Sequence, residues 1–355
     1  MLGFSVYLGE PLNKDYILKM IGKGYRYIFT SLQIPEENEE TKLTYLGELC
    51  QLLQNTSVTY IIDIHPSLLN QQLYSFLQQY PNGDFVIRID DHLNMALIHE
   101  LYTHNLKCCL NASTITSDIL NSIYTQEHLP EILYCHNYYP RPDTGLSLSS
   151  VQERNQLITQ YDEDAQIIAF IPGTTLRGPL FKGLPTIEHH RYTPTLLAAH
   201  SLLTIGIQHI MIGDLAISDD KANALAQMIL HRHFVITVSS YSSAYAELIF
   251  RTHTSRIDTP EHLIRSKDSR TINHLTIEPD HHHDYVRKKG TITIDNLLNK
   301  RYEGELQMIK SELPSHPNMN HVATVSSKDL YILDLIQPGD TFDLISEKEN
   351  CLWNT

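Results

Sequence analysis

Carboxylates at the ends of short apolar runs are the residues in this 355-residue chain most able to do chemistry. VTYIID (58–63), FVIRID (85–90) and HIMIGD (209–214) each close on an aspartate, which places Asp63, Asp90 and Asp214 where a buried strand has no packing use for charge. Two such groups can divide general acid and general base work on a polar small molecule between them. Asp63 and Asp214 are the leading pair, with Asp90, Glu188 and Glu36 in reserve. Each aspartate also has a structural reading as the N-cap of the next helix. That reading is strongest for Asp90, which precedes DHLNMAL. It is weaker for Asp63 and Asp214, because Pro66 and Ser218 open the following helices later.

Two long loops carry the other candidates. PGTTLRGPLFKGLPTIEHHR (172–191) combines Gly173, Gly178 and Gly183 with Arg177, Lys182 and Arg191, positive groups on an acidic chain. Glycines permit close backbone approach and guanidinium forks match phosphate oxygens, so a phosphate clamp is expected at Arg177. The backbone around Gly173 and Gly213 assists, and Arg191 or Arg141 is a second donor. HNYYPRPDTGL (136–146) offers rigid aromatic surface. Tyr7, Ser31, Asn111, His136, Asn137 and Arg141 complete the set of substrate-binding candidates. A mere cover over a binding mouth is the structural alternative for both loops. His281 to His283 cannot converge on one ion from an extended segment, where neighbours point to opposite faces, so a solvated loop and no metal are expected. GxGxxG, GxxxxGK[ST] and GxSxG motifs are absent, which disfavours dinucleotide, P-loop and serine-hydrolase chemistry and leaves no cofactor expected.

The elements that must position these groups follow from periodicity. Eight β-rich runs occur at 3–7, 25–31, 58–63, 85–90, 107–111, 131–135, 166–171 and 209–214, with amphipathic helical segments between them. Runs apolar along their whole length suit a parallel sheet buried on both faces. Eight such units close most simply into a (β/α)8 TIM barrel, with its active site at the carboxyl ends of the strands; a doubly wound sheet shares the same local grammar. Beyond His231 the texture becomes β-rich: 234–240, 271–277, 290–296, 302–309, 320–326 and 340–346 read as strands, and 245–250 and 260–265 as short helices. The expected domains are therefore 1–233 and 234–355, the second a small β-barrel or sandwich. Its basic clusters, Arg265 and Arg270 with Arg287, Lys288 and Lys289, are expected to contribute to the active-site wall.

Composition bounds the partners. With 41 acidic against 27 basic residues the formal net charge is -14, so nucleic acid and anionic membranes are poor partners and a small molecule is the expected one. Five cysteines without a CxxC pair argue against a disulfide framework or thiolate metal site. No charged leader and no apolar stretch of about 18 residues is visible, which leads to an expectation of the cytoplasm. Nothing in the composition specifies an oligomeric state.

Several strings resemble one known family: MLGFSVYLGEP at the start, YIFTSLQIPEE (27–37), LNAST (110–114), CHNYYPRPDTGLS (135–147), AFIPGTTLRGPLFKGLPTIEHHR (169–191), IGD (212–214), RKKGTITIDN (287–296) and RYEGELQ (301–307). They are similar to the bacterial 6-phospho-N-acetylmuramidases over essentially the whole chain. The resemblance implies a barrel followed by a cyclophilin-like β domain. It also implies hydrolysis of the β-1,4 bond of 6-phospho-MurNAc-GlcNAc in the cytoplasm, during cell-wall recycling. A non-catalytic phosphosugar-binding protein is the competing class. An aldolase or epimerase is a third, disfavoured by the lack of a Schiff-base lysine or a metal set at a strand end.

Overall fold

A computed structural model describes residues 1–34, 39–90, 95–125, 131–258, 260–280 and 286–347. Glu36, His281 to His283 and Cys351 lie outside the described residues. The chain divides into two compact units, Met1–Ala226 and Gln227–Thr355.

In the first unit, β1 (Leu2–Ser5), β2 (Tyr27–Ser31), β3 (Thr59–Ile64), β4 (Asp84–Ile89), β5 (Lys107–Asn111), β6 (Ile132–Cys135), β7 (Gln166–Ile171) and β8 (His209–Ile212) form a closed barrel in chain order. Every neighbouring pair is parallel, and β8 returns to β1 with Ile210 opposite Leu2. Helices α1 (Lys14–Gly22), α2 (Glu39–Leu52), α3 (Gln71–Leu77), α4 (Met95–Thr103), α5 (Ser117–Tyr124), α6 (Leu148–Thr159), α7 (Thr195–Thr204) and α8 (Asp219–His231) alternate with the strands. Asn13 caps α1 by accepting from the Tyr16 N–H at 3.1 Å, and Asn70, Thr116 and Ser147 cap α3, α5 and α6 in the same way.

Because successive strand residues point to opposite faces, alternate positions fill the barrel interior. Phe29, Ile61, Val86, Cys109, Leu133, Cys135, Ile168, Phe170 and Met211 form that plug, with Phe29 and Phe170 edge to face at 5.1 Å. The next inward position toward the carboxyl end is Ser31 on β2, Asp63 on β3, Arg88 on β4 and Asn111 on β5. The strand period thus delivers four polar side chains to one mouth.

The second unit contains β9 (His233–Tyr241), β10 (Thr252–Thr254), β11 (Leu263–Arg265), β12 (Thr291–Asp295), β13 (Leu306–Ile309), β14 (Met319–Val325) and β15 (Thr341–Ser346). They form one mixed sheet in the order β10-β15-β9-β14-β12-β13-β11, parallel only between β9 and β15. The sheet curls until its edges meet, with the Arg256 N–H donating to the Arg265 carbonyl at 3.0 Å and the Lys267 N–H to the Thr254 carbonyl at 2.8 Å. Two local expectations fail. Residues 271–277 form no strand, because the Asn273 side chain takes the Leu275 N–H at 3.0 Å and turns the chain. Residues 260–265 end in a strand, because pairing of Leu263–Arg265 with β13 overrides local helical preference. Among the described residues, Cys50, Cys108, Cys109 and Cys135 are buried and unpaired, and no helix is long and apolar enough to cross a membrane.

Three histidines of the first unit, His136, His190 and His209, are buried, and desolvation is the main cause that pushes each imidazole down to about 4. An unfolded chain protonates histidine near 6.5. As the pH falls from about 6.5 to 4 the unfolded state therefore binds protons that the folded state refuses, and stability drops across that window. Imidazole NMR titration should show three rings still neutral at about pH 5.5, with the urea midpoint already falling there. Three rings titrating near their ordinary value would refute the assignment.

Candidate active site

Arg88 organises the barrel mouth. Its guanidinium donates from Nη1 to Asp63 Oδ1 at 2.5 Å, and from Nη2 to Asp90 Oδ1 at 3.1 Å and to Asn137 Oδ1. Burial works against its charge, but Asp63 and, further off, Asp90 more than restore it, so its pKa lies above the ordinary arginine value. Asp63 also accepts from the Ser31 hydroxyl at 3.0 Å and from Gln33 Nε2 at 2.6 Å. Asp90 accepts from Asn111 Nδ2 at 2.6 Å, again on Oδ1. The Asp63 side chain is 11% exposed and that of Asp90 36%, and Asp90 Oδ2 has no partner among the described residues. Of the two carboxylates, Asp90 presents the more open oxygen.

Behind this layer sits a neutral relay. His136 is fully buried, with Nε2 2.9 Å from Asn155 Oδ1 and Nδ1 3.2 Å from the Ser113 hydroxyl. The same hydroxyl accepts the Asn137 N–H at 2.9 Å. His136 therefore positions Asn137 from behind, where the sequence reading has it touching substrate. Tyr7 donates to the Gly213 carbonyl at 2.5 Å and lies under the Arg177 guanidinium, 4.1 Å from its ring centre. Burial, then the neighbouring Tyr138, lifts the Tyr7 hydroxyl well above the usual phenol range, so both phenols stay protonated beside Arg177. Tyr138 roofs the interior plug, 5.9 Å from Phe29 and 5.1 Å from Phe170.

Three residues with expected chemical roles are instead structural. Asp214 is 1% exposed and accepts three backbone N–H groups, from Gly173 at 2.9 Å, Arg177 at 3.0 Å and Leu184 at 3.1 Å. It braces the loop after β7, with both oxygens engaged by backbone N–H groups. Glu188 receives Arg191 Nε and Nη2, both at 2.7 Å, and the Gly145 N–H at 2.8 Å; the Arg191 hydrogen bonds chiefly hold its carboxyl down to about 2. Arg191 also donates to the carbonyls of Lys182, Gly183, Tyr139 and Arg141, with its side chain fully buried, so it ties two loops together and is no phosphate donor. Gly173 and Gly213 approach protein backbone: a Cβ would lie 2.3 Å from the Ala216 carbonyl oxygen at the first and 2.4 Å from that of Leu184 at the second. Arg141 is exposed on the loop that Arg191 ties down.

Gln33 and Ser113 join the constellation without having been singled out, while Tyr138 comes from the aromatic loop 136–146. Gln33 carries the usable signal, standing two residues beyond a strand that already ends in a candidate. At the opposite end of the barrel a cavity of about 530 Å³ is lined by strand starts, including Tyr27, Thr59, Asp84 and Lys107. There Lys107 pairs with Asp84 and Glu131, both at 3.3 Å. Among the described residues no group of His, Cys, Asp and Glu is placed to hold a metal ion.

Comparison with known proteins adds a family. The models described as 6-phospho-N-acetylmuramidase, N-terminal and C-terminal, match residues 2–227 and 233–345. No curated protein sequence matches. A crystal structure of a conserved Enterococcus faecalis protein of unknown function is 30% identical, with all of both chains covered and a TM-score of 0.79. An uncharacterized B. cereus protein is 23% identical, with 97% of this chain and 99% of its own covered and a TM-score of 0.72.

The Asp214 brace yields a stability prediction. Asp214→Asn removes the charge that three N–H groups share and turns an amide donor toward them, which should cost about 2–4 kcal/mol in urea unfolding. Limited proteolysis at the exposed Lys182 should accelerate. A change under about 0.5 kcal/mol, the range of an ordinary surface substitution, would show that the loop is held by other contacts.

Proposed function

Because the chain belongs to the 6-phospho-N-acetylmuramidase family, we propose that it hydrolyses the β-1,4 bond of 6-phospho-MurNAc-GlcNAc, releasing 6-phospho-MurNAc and GlcNAc in cytoplasmic cell-wall recycling. The observation that carries this reading is the pair of carboxylates, Asp63 and Asp90, held by one buried guanidinium at the barrel mouth. Sharing Arg88 fixes their spacing. The open Oδ2 of Asp90 acts at the glycosidic bond, while Asp63, locked by three donors, supplies fixed negative charge beside the developing oxocarbenium ion. Tyr7 and Tyr138 wall the sugar, and Asn111 and Asn137 keep the carboxylate and guanidinium aligned. With Asp214 engaged in the loop, Asp90 replaces it in the working pair.

Mass spectrometry of the purified protein incubated with phosphorylated and unphosphorylated MurNAc-GlcNAc tests the activity directly. Cleavage of the phosphorylated disaccharide is expected, and cleavage of neither would leave a binding protein. Asp90→Asn should lower kcat by at least about a hundredfold, the scale of a lost acid–base group, with the fold intact by circular dichroism. Near wild-type turnover would remove Asp90 from the mechanism.

The phosphate is assigned to Arg177, whose half-buried guanidinium is oriented by the Tyr7 ring. A phosphomonoester carries close to two charges at neutral pH, and each charge-assisted bond contributes about 1.5–3 kcal/mol. Arg177→Ala should therefore raise KM about ten- to a hundredfold for the phosphorylated disaccharide and leave the unphosphorylated one nearly unchanged. Equal losses on both would make Arg177 a support for the loop.

A further inference from the structure

The strings GTITIDN and GELQ build a polar face in the second unit that catalysis at the barrel mouth does not use. Across the sheet, Thr293 on β12 stands opposite Gln307 on β13, which stands opposite Arg265 on β11, so the three side chains share one face. Asp295 and Glu305 follow one period along, joined by the Asp295 N–H donating to the Glu305 carbonyl at 3.0 Å. The other face is the apolar core, where Ile264, Ile292, Ile294, Leu306 and Met308 are fully buried.

The polar face is almost as deeply buried, with Thr293 at 0% exposure, Glu305 at 1%, Asp295 at 3% and Gln307 at 5%. Arg265 clamps Glu305 through Nε at 2.6 Å and Nη2 at 2.9 Å. The rest is loosely bonded. Gln307 Nε2 reaches Asp295 only at 3.5 Å and Glu305 at 3.4 Å. Among the described residues, Thr293 Oγ1 and Gln307 Oε1 have no hydrogen-bond partner. A buried polar atom left without a partner destabilises the fold. Burial, and then Glu305, raises the Asp295 carboxyl to about 7, against a hydrogen bond from Asn299. The carboxylates of Asp295 and Glu305 already face Arg265, Arg270 and Arg287, so the atoms left to satisfy are the uncharged Thr293 Oγ1 and Gln307 Oε1. A neutral molecule rich in O–H and N–H donors fits them.

We propose that this face of β11, β12 and β13 is a saccharide-binding site of the second unit, taking a neutral N-acetylated sugar whose hydroxyl and amide donors reach Thr293 Oγ1, Gln307 Oε1 and Asp295. The choice of sugar rests on the amino-sugar reading above. Entry requires Arg270 to move: it comes from the short helix Ser269–Ile272, is one-third exposed, and is held to Glu305 at 3.5 Å and to the Arg301 carbonyl at 3.2 Å. Tyr302, stacked under Arg270 at 5.5 Å and Arg301 at 4.9 Å, forms an aromatic rim.

N-acetylglucosamine and N,N′-diacetylchitobiose titrated into the full-length protein test this by methyl NMR. Signals of Ile264, Ile292, Ile294 and Met308, which back the polar face, should shift saturably. Thr293→Val deletes an orphaned hydroxyl at constant shape, so the ligand-free Tm should hold or rise while affinity at these signals falls about tenfold, one hydrogen bond. Unmoved signals would overturn the proposal. So would a lower ligand-free Tm in Thr293→Val, which would mean that the hydroxyl is already bonded to an internal water. Because the readout is local to the second unit and needs no turnover, shifting signals without hydrolysis would refute only the catalytic reading, and hydrolysis without shifts only this one.

Discussion

One buried guanidinium determines the mouth of the barrel. Arg88 is brought inward by the two-residue period of β4, into a layer where desolvating a lone cation would cost several kcal/mol. Asp63 from the adjacent strand, Asp90 two residues on, and Asn137 from beyond β6 compensate it together. The arrangement is mutual: each carboxylate is tolerable at that depth because the guanidinium is there. Removing Arg88 would leave Asp63 buried without its countercharge, so the site depends on the guanidinium. Its precision comes from strands, which move less than loops do.

The wall over that mouth is made rigid by different means. A twenty-residue connection after β7 would be expected to sample many conformations. Asp214 gathers three of its N–H groups at one end, and Arg191 collects four carbonyls and a carboxylate at the other. Backbone polar groups that a loop ordinarily leaves to water are here satisfied by two buried side chains of opposite charge. The close contacts at Gly173 and Gly213 serve the same end. Order in this segment is thus built in before any ligand arrives.

How much of this was legible differs by level. The barrel was, because eight runs apolar on both faces have few other solutions, and the strand-end candidates Ser31, Asp63, Asp90 and Asn111 come together at one mouth around Arg88. Roles were not legible for Asp214, Glu188 and Arg191. An aspartate that accepts backbone N–H groups and one that cleaves a bond look alike in sequence, since the difference lies in where partners from 40 residues away come to rest. Gln33 was passed over because an amide signals chemistry only once its carboxylate neighbour is seen. In the second unit, 260–265 became a strand through a pairing partner more than forty residues later, information that no local window holds.

The parallel pairing of β9 with β15 sets the order in which this chain can mature. The first strand of the second unit finds its partner roughly a hundred residues downstream, with Phe234 opposite Phe342 and Val238 opposite Ser346. Pairings of such sequence separation carry a large loop-closure penalty and form late. During synthesis the barrel strands emerge complete, while β9 must wait, with an unsatisfied ladder of N–H and C=O groups, until β15 leaves the ribosome. A chain truncated just before Thr341 would keep nearly all its mass and expose that ladder permanently, a template for self-association.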